Sequence, residues 1–503
     1  MKKISASKSG LVSGPLIFFL ITLIPETATL KPEGIYVLAT AALMAIWWVT
    51  EAIPIPATAL LPVILFPALG VMSGSEVTQP YANHLIYLFL GGFLIAVTIE
   101  KWNLHRRIAL QTIRLVGITP NRIILGFMLA TALLSMWISN TAATMMMVTI
   151  GLAVLNQVKD EINKTPSLNI DLSKGQFNFG TALMLGIGYS ASIGGIATLI
   201  GTPPNAILAG VLESNYGLSI NFLDWMIFAL PLSLIMLFLT WYYLIKVAYP
   251  SEINYLPGGH AMIQQNINEL GHMSREERSV LFVFVMVALL WILRGLIDSN
   301  EFTYIKDSTI AMSGAMLLFI IPSNFRKGEF LLDWQTALKI PWDILILFGG
   351  GFALAKGFSD SGLTLAIASQ INLLQGINII LVIAAVTTTV IFLTEITSNT
   401  ATASLFLPVI GAMALAMHIH PMALMFAVAI AASFAFMLPV ATPPNAIIFG
   451  SRYISIQQMM KTGIWVNLYG IILITCFTVF FIPLIWDIVL DKIPQDLLQH
   501  IKH

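Results

Sequence analysis

The sequence predicts an all-α polytopic membrane protein of about 11 transmembrane helices, an inverted-topology repeat with two re-entrant hairpins and two broken helices. Three observations lead there. A chain of 503 residues that is 57% hydrophobic and 10% charged, with a mean hydropathy of +0.86, lacks the polar surface that a soluble globule of its size needs. The tripeptide Ser-Asn-Thr occurs at 139–141 and again at 398–400, each time inside a long apolar stretch. Each copy is followed by Thr-Pro-Pro-Asn-Ala-Ile, at 202–207 and 442–447. Small polar residues beside prolines mark places where a lipid-buried backbone breaks and offers its carbonyls and amides to a ligand.

Taken in order, Met1, Lys2, Lys3 and Lys8 lead into an apolar stretch with no small-residue cleavage site, so 1–34 reads as a retained first helix and its lead-in. The first repeat covers 35–246, with scaffold helices in 35–115, a hairpin at 121–156, a broken helix at 178–211 and a helix at 224–246. A polar linker, 247–278, divides the chain. The second repeat, 279–490, has scaffold helices at 279–322, a helix at 342–369, a hairpin at 377–416, a broken helix at 421–449 and a helix at 463–490. A short tail, 491–503, follows. The two hairpin stretches are too long for one crossing and too short for two, and each holds its Ser-Asn-Thr near the middle. Pro-Pro near one end interrupts each broken helix.

The repeat is visible in the spacing. Leu90-Gly91-Gly92-Phe93 recurs as Gly349-Gly350-Gly351-Phe352 with an offset of 259, the same offset that separates Ser139 from Ser398. Five crossings between the hairpins make them enter from opposite faces. With a cytoplasmic N-terminus, this layout puts 19 of the 25 Lys and Arg residues inside, and the C-terminus outside.

Composition also excludes functions. Equal numbers of basic and acidic side chains, 25 each, give no basis for nucleic-acid binding. A lone cysteine, Cys476, rules out an internal disulfide, and the eight histidines lack metal-ligand spacing. No Ser-His-Asp or paired-carboxylate set converges near the midplane, so the chain does not read as an enzyme and calls for no cofactor.

The polar triplets precede apolar runs in an N-cap pattern, which aims free backbone donors and a positive helix end at each hairpin tip. Two such tips facing each other suit a ligand with two carboxylates. The breaks at Gly201-Thr202-Pro203-Pro204 and Ala441-Thr442-Pro443-Pro444 leave carbonyls without intrahelical partners, and these suit small hard cations such as Na+. No Lys or Arg lies in either motif, so a dianion would be neutralised by dipoles, hydroxyls and co-bound cations. Glu51, His84, Lys356 and Asp360 sit near predicted helix ends and read as snorkelling or end-pairing groups. Glu395 lies inside a span, where it either tunes a cation site or braces the hairpin.

Trp47-Trp48-Val49-Thr50-Glu51-Ala52-Ile53-Pro54, Leu90-Gly91-Gly92-Phe93 and the doubled Ser-Asn-Thr and Thr-Pro-Pro-Asn motifs resemble the divalent anion/sodium symporter family, and within it the bacterial sodium/dicarboxylate branch. The resemblance runs from about 35 to 490. It implies a plasma-membrane homodimer in which a scaffold domain holds a transport domain that moves as an elevator. It also implies that the cargo is succinate, malate, fumarate or a related C4 dicarboxylate, carried with Na+. Matched motif by motif, one Na+ site would use Ser135, Ser139, Asn140 and the Gly201 carbonyl, the other Thr394, Thr397, Asn399 and the Ala441 carbonyl. Substrate would meet Asn140, Thr141, Asn399 and Thr400, with Thr202, Pro203, Thr442 and Pro443 lining the pocket. Some family members exchange dicarboxylates without Na+, for example succinate against 2-oxoglutarate. That mode and, further off, a passive anion channel stand as alternatives to symport.

Overall fold

A computed structural model of the chain describes residues 2–117, 119–163, 171–172, 175–253, 259–297, 304–370, 376–493 and 497. Nearly all regular structure in it is helical, and the exception is a two-stranded turn pairing Pro322–Asn324 with Glu329–Phe330. Among the described residues, eight helices are long and apolar enough to cross a membrane, and shorter apolar helices accompany them.

Helices α1 (Lys2–Thr22) and α2 (Pro32–Thr50) pack side by side, with Trp47 Nε1 donating to the Gly10 carbonyl at 3.1 Å. The next apolar window does not form one span. Pro62 divides it into Ile55–Thr58 and Leu61–Ala68, because it lacks the N–H that a continuing helix would need to reach the Thr58 carbonyl. Helix α3 (His84–Lys101) is capped by Asn83, whose Oδ1 accepts from Leu85 N at 2.9 Å. Asn103, with a left-handed φ of 57°, then turns the chain into the amphipathic α4 (Leu104–Val116).

The first hairpin is α5 (Pro120–Ser135) and α6 (Asn140–Asn163), and the first broken helix is α7 (Asn178–Gly195) and α8 (Pro203–Tyr216). Helix α9 (Phe222–Tyr243) ends the first repeat in a π turn, Leu244–Ala248. A short helix, Gly259–Glu269, lies in the linker, and Arg107 of α4 donates to the Leu270 and Gly271 carbonyls and to Glu277. The second repeat runs through α10 (Arg275–Leu296), α11 (Asp307–Ile320) and α12 (Trp342–Asp360) to the hairpin α13 (Ile379–Thr394) and α14 (Asn399–Ala416). It closes with the broken helix α15 (Pro421–Ala431) and α16 (Pro443–Gly450), then α17 (Ile456–Trp486).

Several boundaries differ from expectation, among them the helix expected over 342–369, which Gly362 at a left-handed φ of 71° splits into Trp342–Asp360 and Leu363–Gln370. Helix α17 starts seven residues before 463, because Ser455 and Gln458 form a capping box that carries the helix through a polar first turn. Helix α10 likewise starts at Arg275 behind a Ser274–Glu277 capping box. The second break is the largest departure, since the helix ends at Ala431 rather than beside Pro443 and leaves 432–442 unwound.

Burial separates the layers. Every residue from Phe179 to Gly195 and from Pro421 to Ala431 is buried, so α7 and α15 are apolar all round and occupy the centre. Leu20, Phe238, Phe282, Leu293, Ile472 and Phe480 are exposed on outer helices, which for so apolar a chain is a lipid-facing belt. Cys476 is exposed there as well.

The repeated glycine motif explains how the halves interlock. A Cβ at Gly91 would lie 2.6 Å from the backbone carbon of Ala311, and one at Gly350 would lie 2.3 Å from the Ala59 carbonyl oxygen. Each glycine thus lets its helix touch the backbone of the other half.

Candidate functional site

Both hairpin tips and both helix breaks open onto one cavity of ≈ 550 Å³. Its lining includes Ser139, Asn140, Thr141, Gly201, Thr202 and Pro203 from the first repeat, and Thr397, Ser398, Asn399, Thr400, Ala441, Thr442 and Pro443 from the second. Twelve of the fourteen candidate site residues therefore share one space. The other two, Ser135 and Thr394, are fully buried just behind it.

Local sequence chemistry builds the tips. Ser139 Oγ accepts from Ala142 N at 3.2 Å, which caps α6. Ser398 holds the N-cap position of α14 with extended backbone but makes no side-chain cap bond, so its expected capping role is positional only. Thr397 instead bonds Leu393 O at 3.0 Å and the Thr402 hydroxyl at 2.6 Å.

Behind each tip lies a matched cluster of three oxygens. Ser135 Oγ donates to Asn140 Oδ1 and also lies 2.7 Å from the Ala191 carbonyl oxygen. Thr394 Oγ1 lies 2.8 Å from Asn399 Oδ1 and 2.9 Å from the Ala432 carbonyl oxygen. A hydroxyl has one proton, so each cluster sets three neutral oxygens around a single donor hydrogen. Oxygen-rich, proton-poor, uncharged clusters suit a hard monovalent cation rather than a transition metal. Among the described residues no three His, Cys, Asp or Glu side chains group as a metal site.

The half-helices are held apart by their asparagines. Asn205 Nδ2 donates to the Thr198 carbonyl at 2.7 Å, and Asn445 Nδ2 donates to those of Ala435 and Leu438 at 2.9 and 3.0 Å. Close approach at the first cluster requires glycine, since a Cβ at Gly195 would sit 2.6 Å from Asn140 Oδ1.

Glu395 is a brace. Its carboxylate accepts from Phe436 N at 2.7 Å, Met437 N at 2.9 Å, Leu438 N at 3.1 Å and Asn467 Nδ2 at 2.8 Å. Those backbone donors are free because the second break unwinds early. At the matching place in the first repeat stands Met136, whose carbonyl accepts the Thr198 hydroxyl at 2.6 Å. Of the groups read as end-pairing, His84 pairs with Glu213 at 2.7 Å, Lys356 with Asp360 at 3.5 Å, and Glu51 C-caps α2 in a left-handed conformation.

Sequence reasoning did not find the rest of the wall. Trp48, Phe89 and Phe93 supply apolar surface, and Glu51 and Asp343 supply carboxylates, while among the described residues no basic side chain lines the cavity. The Ala191 and Ala432 carbonyls also went unread, since a backbone oxygen has no residue signature.

A helical bundle in which two chain breaks and two hairpin tips meet at one cavity, inside a lipid-facing shell, is a membrane transporter. Residues 7–488 match the family described as the sodium:sulfate symporter transmembrane region, and the chain belongs to that family. It is 46% identical over 480 residues to the sodium-dependent dicarboxylate transporter SdcS of Staphylococcus saprophyticus, covering 94% of this chain and 91% of that one. SdcS of Staphylococcus aureus is 46% identical over 486 residues, covering 96% and 92%. Among solved structures, the YdaH transporter of Alcanivorax borkumensis superposes with a TM-score of 0.56 at 12% identity, over 89% of this chain and 99% of its own. MtrF of Neisseria gonorrhoeae gives 0.52 at 11% identity over 94% of each chain, so both share the fold.

Proposed function

We propose that the chain is a secondary-active symporter of C4 dicarboxylates such as succinate, malate and fumarate, driven by Na+ across the cell membrane. The observation that carries this reading is a cavity lined, among the described residues, by no basic side chain and flanked by two matched clusters of neutral oxygens. The 46% identity to transporters named for sodium-dependent dicarboxylate uptake supports it and disfavours Na+-independent exchange.

In this reading Na+ is held on one side by Ser135, Ser139, Asn140 and the Gly201 carbonyl, and on the other by Thr394, Thr397, Asn399 and the Ala441 carbonyl. The converging distances add the Ala191 and Ala432 carbonyls to the two sets. The substrate carboxylates meet Asn140, Thr141, Asn399 and Thr400 at the hairpin tips, between Thr202, Pro203, Thr442 and Pro443. Two co-bound cations supply the positive charge that the protein lacks there. The hairpins, broken helices, α9 and α17 form a transport domain that moves against a scaffold of α2–α4 and α10–α12 in a homodimer, with the N-terminus cytoplasmic and the C-terminus outside.

Uptake of radiolabelled succinate into proteoliposomes, with and without an inward Na+ gradient, tests the proposal. Uptake that ignores Na+ and needs preloaded dicarboxylate would establish exchange instead, and ion conduction through a standing pore in planar bilayers would establish a channel.

A further inference from the structure

Away from the cavity, three ionisable side chains from distant parts of the chain meet at one end of the bundle. Glu213, in the last turn of α8, receives Lys306 Nζ on Oε1 at 2.7 Å and His84 Nε2 on Oε2 at 2.7 Å. Lys306 Nζ and His84 Nε2 are 3.0 Å apart, and the group borders a cavity of ≈ 310 Å³. His84 begins α3 and Lys306 caps α11, whereas Glu213 ends the half-helix that starts at the candidate site with Thr202 and Pro203.

A second link lies beside the first. Asp307 Oδ1 takes Arg294 Nη1 at 3.0 Å, while its Oδ2 accepts the backbone N–H of Phe222, at the start of α9, at 2.9 Å. The Phe222 ring stacks on Trp291 of α10 at 4.4 Å. One acidic residue of the moving side is thus gripped by two basic residues of the static side, and one amide of the moving side is gripped by an acidic residue of the static side.

We infer that His84, Glu213 and Lys306 form a latch that clasps the substrate-bearing half-helix to the scaffold in one access state and opens in the other. The inference rests on the elevator reading above. The half-buried Glu213, with 26% of its side chain exposed, gains from both pairs but cannot keep them if α8 moves. Displacement by one helical turn, about 5.4 Å, exceeds the reach of either contact. The latch therefore biases the balance between states rather than binding cargo.

Spin labels at Ser214→Cys on α8 and Thr309→Cys on α11, in a Cys476→Ser background, report the gap by pulsed electron paramagnetic resonance on the full chain in liposomes. Both label positions are exposed. The unaltered latch should give two distance populations whose ratio responds to Na+ with succinate. Glu213→Gln and Lys306→Met should each raise the longer-distance share relative to the shorter by about three- to tenfold. The swap Glu213→Lys with Lys306→Glu should bring the ratio back within about twofold. Lys306→Met leaves the His84 contact in place and gives the same reading should Glu213→Gln fail to fold. A distribution that responds to ligand but ignores both variants overturns the latch alone. A distribution that never responds to ligand overturns the elevator reading and the latch with it.

Discussion

Replacing Thr394 by Val keeps the shape of the side chain and removes the one hydroxyl in the second oxygen cluster. In the structure that hydroxyl sits 2.8 Å from Asn399 Oδ1 and 2.9 Å from the Ala432 carbonyl, with no exposure to solvent. Its loss takes one ligand from a cation and leaves two buried oxygens without their shared donor when the cation is absent. These effects partly offset each other, because the empty site is destabilised as well. A contact to a charged group contributes about 1.5–3 kcal/mol, while the neutral hydrogen bond lost from the empty site returns about 0.5–1 kcal/mol, so a net of about 1–2 kcal/mol against cation binding is expected. At about 1.4 kcal/mol per decade, the Na+ concentration for half-maximal succinate uptake should rise roughly 5- to 30-fold. The assay is the initial rate of succinate uptake in proteoliposomes as a function of Na+. Thr387→Val is the control, since that hydroxyl is equally buried on α13 but bonds only the Ile383 carbonyl one turn back, at 2.7 Å. A folded Thr394→Val protein with the Na+ dependence of the Thr387→Val control would refute the reasoning.

Glu395→Ala should lower detergent-solubilised stability by about 3–5 kcal/mol, because the Phe436, Met437 and Leu438 amides lose their acceptor, and Glu395→Gln should lose less since it keeps one carbonyl oxygen; thermal unfolding ranks the two. Gly195→Ala should abolish uptake by pushing a Cβ to 2.6 Å from Asn140 Oδ1, whereas Gly450→Ala, with nothing within 4 Å, should transport normally. Outside the spans, Lys101 and then Thr336 hold Asp333 down to about 2 from the usual 3.8, so its stabilising contribution is present above the usual 3.8 and is lost progressively as the pH falls from there through about 2. With nearly half of Asp333 exposed, solvent screening keeps Asp333→Asn within about 1 kcal/mol at pH 7, which the same unfolding measurement checks.

The fold class was legible because burial in lipid forces composition, and the repeat because Gly91 and Gly350 each must admit the other half's backbone at one spacing. The hairpin tips were legible for a related reason, since Asn140 and Asn399 sit at the same offset and open onto the same cavity. Helix ends were less so. Unwinding of 432–442 begins at Ala432, seven residues before Pro439 and so upstream of the donor which that proline removes, and a partner 41 residues before Phe436, Glu395, takes up the freed amides. That is tertiary structure overriding local propensity. The latch residues illustrate the same limit, since His84, Glu213 and Lys306 each read alone as ordinary helix-end charges and only their meeting gives them a role.

A pocket walled by dipoles, hydroxyls and two carboxylates carries no fixed counter-charge of its own for a dianion. On the symport reading proposed above, its grip on cargo is borrowed from the surrounding solution. Facing a sodium-rich medium it is adhesive, and facing a sodium-poor one the borrowed charge leaks away and the acid is expelled, with no lysine or arginine left behind to hold it. Direction of travel would then follow from the two ionic compositions, with no need for the protein to distinguish one side from the other.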